Sequence, residues 1–278
     1  MAKLIARVAW LLPLAVFSED ALAWGLCTHV YFSQLLIWAV PLADPRFRRA
    51  VARMPELMLA GACLPDIALF SRLANAPALR KTHQWSAARR MLERAGDDAA
   101  RALAVGYASH LLCDVVAHNH FVPAHEQMWL DRPVVTHAAA EWMMDAHVMP
   151  QLLCRPAYLM RRYHWRLVDC AVTHLGCAPT GARRALNWLT SGERLLRASR
   201  LPQALRNGAC MLDKRLLRRL DWYVGETTAR LGQINRLIEG DAPVWHPELD
   251  CAQAAGGRAQ LLPPRGFEPQ LPLPQDFF

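Results

Sequence analysis

Residues 102–118 read Ala-Leu-Ala-Val-Gly-Tyr-Ala-Ser-His-Leu-Leu-Cys-Asp-Val-Val-Ala-His, a run apolar enough for a protein core that nevertheless carries His110, Asp114 and His118 at four-residue spacing. On an α-helix, side chains four apart stack on one face. The segment is therefore a helix whose surface seeks burial and whose one narrow stripe is ionisable. A buried carboxylate without a partner costs several kcal/mol. A second stripe follows, in which His137, Glu141 and Asp145 repeat the spacing among Ala, Trp and Met. A single His or Asp in an apolar helix is usually a hydrogen-bonded core residue. Two such stripes instead imply paired helices that turn nitrogen and oxygen donors inward, and a divalent cation neutralises that cluster. Histidine with carboxylate is a zinc-type ligand set.

The rest of the chain reads as helix after helix. Helical periodicity predicts segments over 26–40, 46–60 with an interruption at Pro55, 83–95, 97–117, 136–153, 158–175, 181–201 and 209–238. Two-residue alternation never persists, so the expected class is all-α: a multi-helix bundle with a polynuclear zinc cleft among facing helices. The 278 residues are 53% hydrophobic, enough for one sizeable core over 24–240.

Both ends differ from this middle. Lys3 and Arg7 precede an apolar run from Val8 to Phe17, and Ala21-Leu22-Ala23 offers a small-x-small cleavage pattern, so residues 1–23 read as a signal peptide. The run is too short to span a bilayer. Cleavage would leave Trp24 as the first residue and place the protein in the periplasm or outside the cell; an uncleaved chain would be cytoplasmic. Residues 241–278 carry repeated prolines and Gly256-Gly257, the composition of an extended or disordered tail.

The eight cysteines include no C-x-x-C pair, which excludes zinc-ribbon and thioredoxin signatures, and Cys63 and Cys113 read as buried free thiols. The net charge of +8 favours anionic partners. Basic runs at Arg161-Arg162, Arg183-Arg184, Lys214-Arg215 and Arg218-Arg219 read as solvated faces, with guidance toward an anionic membrane surface as their functional alternative.

Upstream lie Trp24-Gly25-Leu26-Cys27-Thr28-His29, then Pro65-Asp66, then His83. The ordered set Trp-Gly-x-x-x-His, Pro-Asp, His, His-x-x-x-Asp, His, His-x-x-x-Glu over 24–145 resembles the zinc-dependent phospholipase C family, which is related to S1/P1-type nucleases. The resemblance implies an all-helical fold with two to three zinc ions in one cleft. It implies that His83 and His110 bind one ion, that Asp114 bridges it to a second held by His29 and by the amino group and carbonyl of Trp24, and that His137 and Glu141 hold a third with a histidine after Asp114. The family's spacing selects His120 for that place, whereas helical stacking selects His118, and both stay open. Asp66 would orient or deprotonate the water while zinc-bound hydroxide attacks phosphorus. Asp145, with no family role, is expected to support a histidine.

The substrate implied is a phospholipid or another phosphodiester, with transient contact to an anionic membrane surface. Where choline-preferring members carry cage residues this chain has Cys27, Ile67 and Arg80; Arg80 suits an anionic group, which argues against phosphatidylcholine. One alternative is a single-strand nuclease or 3'-nucleotidase with nucleic acid as substrate, whose members usually carry Asp where Glu141 stands. The other is a non-catalytic metal-binding helical protein.

Overall fold

Prolines and short polar caps cut this chain into its helices. The computed structural model describes residues 25–129 and 133–241; the expected signal peptide, Trp24 and nearly all of the expected tail lie outside them. The α-helices are α1 Leu26–Ala39, α2 Pro45–Arg53, α3 Pro55–Gly61, α4 Trp85–Arg94, α5 Asp98–Val116, α6 Val122–Met128 and α7 Pro133–Val148. They continue as α8 Pro156–Arg162, α9 His164–Leu175, α10 Pro179–Ser199, α11 Leu201–Leu212, α12 Leu216–Arg230 and α13 Ile234–Ile238. The protein is all-α, with no strand among the described residues.

Proline, which lacks an N–H that the first helical turn would leave unpaired anyway, begins α2, α3, α7, α8 and α10. Pro55 therefore starts a new helix where the sequence reading had an interruption. The span 158–175, expected as one helix, divides at Tyr163 into α8 and α9. The expected 209–238 helix breaks at Asp213 and again at the 3₁₀ turn Leu231–Gln233. The expected 136–153 helix stops at Val148, where Pro150 forces a 3₁₀ turn.

The long helix α5 is the axis of the fold. Asp97 caps it, accepting from Ala100 N at 2.7 Å. From Ala102 to Val116 it is buried on every face, with α1, α2, α3 and α4 packed around it. The stretch Asp98–Glu126 is long and apolar enough to cross a membrane, but its apolar window is 89% buried inside the protein, as befits a core helix. Where α3 crosses α5 the backbones touch. A Cβ on Gly61 would sit 2.5 Å from the Leu103 carbonyl oxygen, and one on Gly106 would run into the Met58 carbonyl oxygen. Glycine at both positions lets the helices close to backbone contact.

After α5 the chain widens into a π-turn, Ala117–Phe121. Pro123, two residues into α6, has no N–H for the Asn119 carbonyl and its ring would clash with it, so the helix loosens just upstream. Asn119 Nδ2 donates to the Val115 carbonyl at 2.8 Å within the turn.

Candidate metal centre

Five stretches of chain deliver donors to one buried region. His29 comes from α1, Asp66 from the 3₁₀ turn Pro65–Phe70, and His83 from the segment before α4. His110 and Asp114 come from α5, continued by His118 in the π-turn, while His137 and Glu141 come from α7. The His83 segment is pinned from both sides: Thr82 Oγ1 donates to the Pro65 carbonyl at 2.8 Å and the Tyr107 hydroxyl donates to the Thr82 carbonyl. His110 Nδ1 lies 2.7 Å from the Ala62 carbonyl and so must donate to it, which leaves Nε2 as a bare lone pair aimed at the other donors.

The spacing of these donors tests whether a cation fits. Tetrahedral ligation at about 2.0–2.1 Å requires donor atoms roughly 3.3 Å apart. His83 Nε2 and His110 Nε2 are 3.2 Å apart, His110 Nε2 is 3.0 Å from Asp114 Oδ2, and His83 Nε2 is 3.7 Å from that oxygen. Asp66 Oδ1 stands 3.5 Å from both histidine nitrogens, beside this set. Across the shared carboxylate, Asp114 Oδ1 lies 3.2 Å from His29 Nε2 and 3.9 Å from His118 Nε2. His29 also stacks on His110, with ring centroids 3.5 Å apart. On the far side His137 Nε2 meets Glu141 Oε1 at 2.7 Å, and His118 joins them.

Three sets thus have donor atoms within 4.8 Å of one another: His29 with Asp66 and His110; His83 with His110 and Asp114; His118 with His137 and Glu141. Asp66 Oδ1, both oxygens of Asp114 and His118 Nε2 are buried without a hydrogen-bond partner. Leaving such atoms unsatisfied costs free energy that a bound cation removes. The donor set and its spacing fit zinc.

The electrostatics match. Burial pushes the Asp114 carboxyl up, but His110 and His29 facing it prevail and hold it well below the usual carboxylate range. Burial, reinforced by His29, lowers His110; burial lowers His118 to about 3 against the pull of Asp114. These imidazoles are neutral at physiological pH, the form that coordinates metal. Burial lifts Glu141 to about 7, opposed by His137. Without a cation its charge is only half-stabilised at neutral pH.

The π-turn separates the two histidines that the sequence left open. His118 sits with His137 and Glu141, whereas His120 belongs to none of the three sets and lies beside α12. There its carbonyl accepts from the Tyr223 hydroxyl at 3.3 Å, and burial together with Arg230 lowers its pKa to about 4.

Asp145 corrects an expectation: among the described residues no histidine bonds to it. Its Oδ1 accepts from Thr28 N at 2.8 Å and Thr28 Oγ1 at 2.7 Å, and its Oδ2 accepts from Arg197 Nη2 at 2.7 Å. Arg197 also pairs with Glu193 at 2.9 Å, and Cys27 Sγ donates to Glu193 Oε1 at 3.7 Å. This buried network ties α7 and α10 to the first turn of α1. Sequence reasoning missed Glu193 and Arg197, although their i,i+4 spacing in α10 was a signal. Of the positions compared with a choline cage, Cys27 is buried against Glu193, Ile67 is buried and Arg80 is exposed.

Among the described residues the cysteines are unpaired thiols; burial raises Cys63 and Cys113 well above the ordinary range, so they are inert. No curated protein and no solved structure matches the chain. A family model described as zinc dependent phospholipase C matches residues 28–174, more than half of the sequence and the whole stretch that carries the three donor sets. The chain therefore belongs to the zinc-dependent phospholipase C family, and with it to the zinc-dependent hydrolases.

Proposed function

We propose that this protein hydrolyses phospholipids on the glycerol side of the phosphate, releasing diacylglycerol and a phosphorylated headgroup. The observation that carries the reading is the group of His83, His110 and Asp114 at tetrahedral spacing, with Asp66 beside it and Asp114 shared toward His29. We assign three zinc ions: one to His83, His110 and Asp114; one to Asp114, His29 and the amino terminus that leader removal would create at Trp24; one to His118, His137 and Glu141. Zinc, when bound, supplies a lowered pKa for water and offsets charge on the phosphoryl oxygens and the leaving alkoxide.

The chain's own residues do the rest. Asp66, buried and facing both His83 and His110, orients the attacking water and accepts its proton. The water oxygen bonds to phosphorus as the bond from phosphorus to the glycerol oxygen breaks, and that oxygen takes up a proton from solvent and leaves as the alcohol, after which Asp66 releases its proton to solvent. The Ala62 carbonyl holds the His110 ring in register through Nδ1. Leader cleavage would place the enzyme in the periplasm or outside the cell.

Purified mature protein assayed on mixed phospholipids and on single-stranded nucleic acid, each with and without chelator, tests this. Chelator-sensitive release of diacylglycerol supports it. Turnover of nucleic acid alone would assign a nuclease, and zinc loading without any turnover would assign a non-catalytic metal protein.

A further inference from the structure

The most exposed large apolar side chains among the described residues sit together at one corner. Met211 is 83% exposed and Leu212 is 93% exposed at the end of α11, and Leu217 is half-exposed just across the turn. Isolated surface leucines are ordinary, but adjacent ones standing almost wholly clear of the protein are not. Lys214, Arg215 and Arg218, all exposed, interleave with them.

The corner cannot fold its apolar tip inward. Asp213 N donates to the Ala209 carbonyl at 2.7 Å, closing α11, while Leu216 N donates to the Asp213 carbonyl at 3.2 Å, opening α12. The Asp213 carboxylate accepts from Arg215 N at 3.0 Å and from the buried Arg219 guanidinium. The acidic residue of the turn is thus spent internally, and the exposed Lys214 and Arg215 side chains stand at the surface.

We propose that this corner, Met211 to Arg218, is a membrane-docking tip that inserts Leu212, Met211 and Leu217 at the headgroup boundary of an anionic phospholipid bilayer, with Lys214, Arg215 and Arg218 against its phosphates. The proposal rests on the phospholipase reading and deepens it by naming the surface the enzyme works on. A convex tip offers no groove for a peptide, whereas a soft planar phase accepts it. Basic residues near an anionic surface attract it, and apolar residues ringed by cations are the composition of interfacial anchors. Two copies meeting tip to tip would oppose like charges. The chain leaves the described region at Asp241, beyond the far end of α12, a helix about 22 Å long.

The tip is coupled to the metal centre through its own helices. About 10 Å along α12 from Leu216, the Tyr223 hydroxyl donates to the His120 carbonyl in the π-turn that carries His118. The other arm, α11, packs on α7, which carries His137 and Glu141. Docking at the corner holds this side of the centre near the lipid surface.

Co-sedimentation of the zinc-loaded mature protein, beginning at Trp24, with vesicles of phosphatidylcholine, with and without phosphatidylglycerol, tests the proposal. Binding is expected to require the anionic lipid, to fall about tenfold in Leu212→Asp and about fivefold for each charge removed in Lys214→Gln and Arg215→Gln. Arg183→Glu with Arg184→Glu on α10 should bind as the parent does. Hydrolysis of a short-chain phospholipid dissolved as monomer should be unchanged in Leu212→Asp, which shows the variant folded. Undiminished vesicle binding by Leu212→Asp, or equal loss in the α10 variant, overturns the docking tip. Vesicle binding without hydrolysis of any phospholipid leaves the tip standing and removes the phospholipase reading; hydrolysis of monomers without vesicle binding does the reverse.

Discussion

Replacing Asp145 by alanine should cost about 3–5 kcal/mol of stability, the usual penalty for removing one partner of a buried ion pair. The carboxylate is fully buried and accepts bonds of 2.7–2.8 Å from Thr28 N, Thr28 Oγ1 and Arg197 Nη2. Each such bond to a charged group contributes about 1.5–3 kcal/mol, and they are not additive. The variant strands the Arg197 guanidinium with Glu193 alone and removes the anion that faces the first turn of α1, where unpaired backbone N–H groups favour negative charge. Against a total stability on the order of 5–15 kcal/mol this is a large fraction. Urea unfolding followed by circular dichroism reads it as a midpoint lowered by roughly 1 M or more. The double variant Asp145→Leu, Arg197→Met removes both charges, and Glu193, whose carboxyl burial already raises, takes up a proton. It should therefore be more stable than Asp145→Ala alone, with a coupling of about 2 kcal/mol in a double-mutant cycle. Additivity of the single changes within about 0.5 kcal/mol would refute the buried-network reasoning.

Gly106→Ala should lower the melting temperature by several degrees or prevent folding, because its Cβ meets the Met58 carbonyl and drives α3 from α5; a melt like the parent's would show that this contact yields. His118→Ala should lose about one zinc per chain by elemental analysis while His120→Ala retains the parent's content; the opposite pattern would reverse their assignments. His125, buried against Phe121, Trp129 and Tyr223 and donating through Nδ1 to the Phe121 carbonyl at 2.8 Å, is held by burial at a pKa of about 4 against an ordinary 6.5. Its stabilising share is full above pH 6.5 and disappears as the pH falls toward 4, so His125→Leu should flatten the acid-side loss of stability by up to about 1.4 kcal/mol per pH unit. Equal pH slopes in urea unfolding of parent and variant would count against it.

The all-helical class was legible because periodicity is a property of neighbours in sequence, and so was the stripe His110, Asp114 and His118, which four-residue spacing alone places on one face. Element boundaries were less legible wherever proline begins a helix instead of ending one, as at Pro55. The choice between His118 and His120 depended on whether the helix would loosen before Pro123. It does loosen, yet His118 still reaches His137 and Glu141. The role of Asp145 was illegible for a different reason: its partners Thr28 and Arg197 lie 117 and 52 residues away. Its place in the second stripe suggested a histidine neighbour, but the side chain belongs to the packing of α1, α7 and α10. Gly106 carried a signal that was not used, since glycine inside an apolar helix commonly marks a close approach.

The donors arrive from α1, a 3₁₀ turn, a loop, α5 and α7, so no local piece of the chain can bind the ion alone. Affinity for zinc exists only once the whole tertiary arrangement has formed, and by linkage the ion returns that affinity as folding free energy. Metal supply would then set the lifetime of the polypeptide as well as its turnover: protein starved of zinc would stand idle, open more often and be cleared by proteases sooner.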